Sequence, residues 1–139
     1  IFIPYGKQQL HHKIIMINGD FAQIGEFTRK TEQYSFCAQF YLHSGSVLVG
    51  SSTSIIVKGQ LNINGRRANL NLLKNVKIVL TTQNYIDNLP VTKTFGNLSF
   101  ENDKELSITF QVPPNLKDIN VQLTCELLNA TTKQNEKFS

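Results

Sequence analysis

Alternation constrains this chain more than any other feature: several segments place apolar residues at every second position, with polar residues between them. In residues 105–112, Leu106, Ile108, Phe110 and Val112 fall on one face, and Ser107, Thr109 and Gln111 fall on the other. Successive strand side chains point to opposite sides, so a period of two describes a half-buried antiparallel strand. A helix would need a stripe of apolar residues three and four apart. No sustained stripe of that kind occurs.

The pattern recurs along the chain. Residues 1–10 read as an extended lead-in broken by Pro4 and Gly6. Residues 13–17 form a short apolar strand closed by the turn residues Asn18-Gly19-Asp20, whereas residues 21–32 have no clean period. In residues 33–42, Tyr34, Phe36, Ala38, Phe40 and Leu42 share a face. Residues 44–54 are rich in Ser and Gly around Val47-Leu48-Val49 and read as a connection or an edge strand.

From residue 54 onward the alternation sharpens. Ile55, Val57, Leu61 and Ile63 share a face up to Asn64-Gly65. That dipeptide signals a type I′ hairpin, because both central positions need positive φ. Ala68, Leu70 and Leu72 alternate on the return, and Val76, Ile78 and Leu80 are in phase within residues 75–82. Residues 83–88 form a polar loop holding Tyr85, and residues 91–100 read as two short β-prone pieces around Gly96. Pro113-Pro114-Asn115 ends the strand before it, and residues 119–127 make the last strand ahead of a polar tail.

Seven to nine short strands separated by turn signals predict an all-β, antiparallel sandwich. Within 139 residues, a hydrophobic fraction of 40% with nine Phe and four Tyr suffices for one core. No apolar run approaches the ~18 residues of a membrane helix, and no signal peptide is visible. The chain starts at Ile1 rather than Met and reads as an excised domain or a processed product. The net charge of +4 is spread out, with only Arg29-Lys30 and Arg66-Arg67 adjacent. A nucleic-acid binder gathers its basic residues with aromatics, so nucleic acid is not an expected partner.

The residues offer little chemistry. His11 and His12 are neighbours that point apart in a strand, His43 is distant, and no metal-ligand spacing occurs, so no metal site is expected. Cys37 and His43 lie too far apart along a strand for proton transfer, and no nucleophile elbow or phosphate loop is present. Glu101, Asp103 and Glu105 read as a solvated acidic turn, lacking the spacing of a calcium loop. Cys125 shares the apolar face of residues 121–127, whereas Cys37 lies opposite the apolar face of its own strand. A core disulfide needs both sulfurs inward, so Cys125 is expected to be a buried thiol. Two sequons, Asn97-Leu98-Ser99 and Asn129-Ala130-Thr131, offer N-glycosylation sites of a secretory-pathway protein.

Residues 55–128 resemble a macroglobulin-type domain, the fibronectin-like sandwich of the α2-macroglobulin and complement family. The resemblance is carried by Val57-Lys58-Gly59-Gln60-Leu61, Asn64-Gly65, the stretch Val76-Lys77-Ile78-Val79-Leu80-Thr81, residues 106–114 and residues 119–127. It implies a scaffold module of a large secreted protein, packed against sister domains. The thioester motif of that family, Cys-Gly-Glu-Gln, is missing, so no catalytic residue carries over.

The reading is therefore an immunoglobulin- or fibronectin-like antiparallel sandwich over residues 55–128, with residues 1–54 as N-terminal strands that either extend it or join the same sandwich, and a polar tail (129–139). Its expected role is that of a non-catalytic, extracellular interaction module without cofactor or metal. It would bind protein partners or sister domains through Arg66 and Arg67 at the hairpin tip, Tyr85, Pro113, Pro114 and Tyr41. Two alternatives are kept. A carbohydrate-binding or adhesin module would use Tyr41, Tyr85 or Tyr34 as a flat exposed platform beside Asn or Asp side chains. An open OB-type barrel would bind single strands.

Overall fold

Where apolar residues alternate, the structure pairs the segments into long ladders. This structure, a computed structural model, describes residues 2–43, 45 and 47–139. Ser44 and Ser46, within the Ser/Gly-rich stretch read above as a connection or edge strand, lie outside the described residues, as does Ile1. The strands are β1 (Leu10–Asn18), β2 (Phe21–Arg29), β3 (Tyr34–Leu42), β4 (Ser52–Ile63), β5 (Arg66–Ala68), β6 (Leu73–Asn84), β7 (Pro90–Leu98), β8 (Leu106–Gln111), β9 (Leu116–Leu128) and β10 (Asn135–Phe138).

Eight strands make two four-stranded antiparallel sheets. One has the order β10-β9-β6-β7; in the other, β3 and β8 pair with β4, which also pairs with β5. Their inner faces supply one core. Ile55, Val57, Leu61, Ile108 and Phe110 come from one sheet, and Leu73, Val76, Ile78, Leu80, Leu123, Cys125 and Leu127 come from the other. The protein is an all-β, immunoglobulin-like sandwich. Its sheet packing follows from the period of two, which gives strands β4, β6, β8 and β9 one apolar face to bury.

Several local readings change. The return strand after Asn64-Gly65 stops at Ala68, and a 3-10 turn spans Leu70–Leu72. Asn69 caps that turn by accepting from the Asn71 N–H at 2.8 Å. The tighter turn sends Leu70 and Leu73 inward and leaves Leu72 47% exposed, so strict alternation through Leu72 does not hold. Residues 91–100 hold one strand rather than two pieces. Val76 pairs with Leu98 and Ile78 with Phe95, so Gly96 and Asn97 together oppose Lys77 in a β-bulge. Residues 21–32, without a clean period, contain β2, which pairs with β1 along its whole length.

Residues 129–139 carry β10, whose Phe138 ring lies tilted against Phe36 with centroids 6.1 Å apart. Within β4, Gly59 leaves room for two aromatic rings. A Cβ there would sit 3.1 Å from Phe36 Cε2 and 3.2 Å from Phe100 Cε1. Cys125 is buried and Cys37 exposed, both as free thiols.

Candidate interaction surface

β1 and β2 form a two-stranded sheet of their own, joined by a tight turn at Gly19-Asp20. None of their residues belongs to the buried core. Their register assigns the two faces. Ile15 lies opposite Ile24 and Ile17 opposite Ala22 on one side; Met16 lies opposite Gln23 and Asn18 opposite Phe21 on the other. At the turn end, Ile15, Ile17 and Ile24 are 68%, 73% and 69% exposed, and Phe21 on the reverse side is 66% exposed. The tip is thus apolar on both faces and uncovered. An isolated two-stranded hairpin is at best marginally stable in water, and an uncovered apolar patch marks a contact surface.

The other end of the hairpin is polar and fixed. His11 lies 3.1 Å from Glu26 Oε2 and 3.2 Å from Thr28 Oγ1, and Lys13 pairs with Glu26 at 3.8 Å. The His12 ring stacks on Phe27 at 5.2 Å. Arg29 donates to the carbonyls of Pro4 at 3.1 Å and Tyr5 at 3.2 Å, tying the lead-in to the hairpin.

A short connection, residues 30–33, joins hairpin to sandwich and is held at several points. Glu32 Oε2 accepts from the Tyr34 hydroxyl at 2.7 Å and from the Thr131 N–H at 3.3 Å. Burial, together with the hydrogen bond to Glu32, pushes the Tyr34 phenol up to about 12. Asn64 holds the backbone of Gln33 from the β4–β5 turn.

The structure divides the sequence-derived candidates between the two ends of the sandwich. Arg66 and Arg67 are exposed beside the β4–β5 turn, at the end where the connection enters. Tyr85 and the Pro113-Pro114 turn meet at the opposite end, where the Tyr85 N–H donates to the Asn115 carbonyl at 2.9 Å. There Tyr85 is 67% exposed, with exposed Ile86 and Leu89 beside it in the loop. Tyr41 stands on the outer face of β3, with Lys58 Nζ 5.4 Å from its ring centroid and its hydroxyl on Gln39.

Tyr34 faces the other way along β3 and its hydroxyl is engaged, whereas Tyr41 and Tyr85 are exposed. The packed two-sheet sandwich likewise replaces the open OB-type barrel. In the acidic turn, Glu101 pairs with Lys104 at 2.7 Å and Glu105 with Lys58 at 2.9 Å. Of the two sequon asparagines, Asn97 is exposed and Asn129 is buried.

The hairpin itself was missing from the sequence-derived surface. Its signal was the unbroken apolar run Ile14-Ile15-Met16-Ile17, which can only be apolar on both faces of a strand. No helix among the described residues is long and apolar enough to cross a membrane. No curated protein and no solved structure matches the chain. A family model matches residues 43–139, which hold β4 to β10, and on that match the chain belongs to the family described as the AbpF third immunoglobulin-like domain.

Proposed function

We propose that this chain is a non-catalytic structural and interaction module of a larger extracellular protein, acting by packing against a neighbouring immunoglobulin-like module. The carrying observation is the β1–β2 hairpin, apolar on both faces at its tip and outside the core. The matched region starts at residue 43, so the hairpin precedes the family's own module. The family description numbers that module as the third of its kind in AbpF, which supports a sister module as the partner. The macroglobulin-like resemblance supports the same mode of action, since such domains pack on their sisters.

Held by Glu32 and Gln33, the connection fixes how the hairpin leaves the sandwich. A fixed exit lowers the ordering cost of docking. The exposed apolar loop around Tyr85, Ile86 and Leu89 gives the far end a second contact surface.

Site-specific photo-crosslinkers at positions 21, 66, 85 and 113 of the native polypeptide test this. Crosslinks from position 21 to an immunoglobulin-like module are the expected result. Failure of all four positions to reach protein, with hits on a glycan array instead, would replace this reading with the carbohydrate-binding one.

A further inference from the structure

Both sequons have the same three-residue chemistry, yet the fold treats their asparagines in opposite ways. Asn129 is 4% exposed. Its Nδ2 donates to Glu136 Oε1 at 2.7 Å, and its Oδ1 accepts from the N–H groups of Thr131 and Thr132, both at 3.0 Å. These bonds hold the β9–β10 turn. Glycosylation would leave Nδ2 one N–H for Glu136, but an amide this buried and this engaged is closed to a transferase and to a bulky substituent.

Asn97 sits in the β-bulge of β7 with φ 54°, and its side-chain amide has no hydrogen-bond partner among the described residues. Asparagine suits left-handed backbone in its own right, and Asn64, Asn75, Asn88 and Asn115 also have positive φ. Of these five, only Asn97 is followed two residues later by Ser or Thr. Ser99 is exposed as well, while Leu98 between them packs against the core, so the two residues that define the sequon both face solvent. β7 is the outer strand of its sheet, with no strand on its far side among the described residues. Open edges invite pairing with other chains unless something covers them.

We propose that Asn97 is an N-glycosylation site whose glycan shields the free edge of β7, and that Asn129 is a structural asparagine which stays unmodified. The proposal rests on the extracellular part of the reading above. In the transfer step, Asn97 Nδ2 attacks the anomeric carbon of a lipid-pyrophosphate-linked oligosaccharide. The N–C bond forms, the C–O bond to pyrophosphate breaks, the amide gives up one proton, and the lipid pyrophosphate leaves.

The test is to send the 139-residue chain through a glycosylating secretory pathway and record intact mass with and without peptide N-glycosidase. Secreted and cell-retained pools are both read. Ser99→Ala removes one sequon without touching the bulge, and Asn97→Gly keeps its left-handed backbone. Thr131→Ala removes the other sequon while keeping every bond of the Asn129 side chain.

Wild type and Thr131→Ala are expected to carry one enzyme-removable glycan, and Ser99→Ala and Asn97→Gly none. A glycan persisting in Ser99→Ala overturns the proposal. So does a bare 15.7 kDa wild-type chain. The interaction-module reading survives either failure, because it stands or falls on the crosslinks from position 21.

Discussion

Asn64 grips Gln33 at both ends of its backbone: Asn64 Oδ1 accepts the Gln33 N–H at 2.8 Å, and the Asn64 N–H donates to the Gln33 carbonyl at 2.8 Å. The residue that makes the β4–β5 turn possible, with φ 49°, is therefore also the one that fastens the connection to the sandwich. Asn64→Gly keeps the left-handed backbone and loses the side-chain acceptor. It is expected to cost about 1 kcal/mol and to speed hydrogen exchange at the Gln33 amide. Denaturant unfolding and amide exchange check this; unchanged Gln33 protection would show that the grip does not hold the connection.

Gly59 is required by the rings on either side of it. A methyl group there presses on Phe36 and Phe100, which lie 5.9 Å apart. Gly59→Ala is expected to destabilise the fold by roughly 1–3 kcal/mol through overpacking. Adding Phe100→Leu should recover part of that loss, which a double-mutant cycle measures.

The hairpin tip contributes contact rather than core. Ile17→Glu combined with Ile24→Lys is expected to change unfolding stability by less than ~0.5 kcal/mol, as is usual for exposed positions. The same pair should abolish crosslinks from position 21. A large fall in stability would mean that the tip is part of the sandwich's own packing.

The two thiols should differ sharply in reactivity. Burial pushes the Cys125 thiol up to about 11, whereas Cys37 is exposed. A thiol reagent at neutral pH is expected to titrate one cysteine in the native protein and the second only on unfolding. Peptide mapping should place the native label on Cys37.

Alkaline pH should weaken the fold by a predictable route. Tyr34 rises from 10.0 to about 12 and Cys125 from 9.0 to about 11 on folding. Between the two values of each pair, the native state binds more protons than the unfolded chain, so stability falls as pH rises. The contribution is complete below pH 9 and is lost by about pH 12. Tyr34→Phe is expected to flatten the loss above pH 10. Melting temperatures from pH 8 to 12 across both proteins measure it.

The legible part of the fold was the part where one face is buried. Residues 106–112, 119–127 and 55–63 show their inward residues in the sequence because each strand has one wet side and one dry side. Asn64-Gly65 was legible for a local reason: its turn needs two left-handed residues, and Gly65 has φ 78°. Less was visible where a single residue changes the geometry. The 3-10 turn at Leu70–Leu72 rotates Leu73 inward, and the bulge at Gly96 and Asn97 lets one strand run through what reads as a break.

By itself, then, the sequence determined the all-β class, the inward faces of the strands bordering the core and the opposite settings of the two cysteines, because periodicity and turn chemistry act over a few residues. Only the tertiary structure decided which strands neighbour each other, and so which candidates meet. It brought Tyr85 to Pro113-Pro114, set Arg66 and Arg67 at the far end, and buried Asn129 while leaving Asn97 open. It also left the β1–β2 hairpin outside the core. Those outcomes depend on pairings between residues far apart in the chain, and no local pattern encodes the partner on the other side.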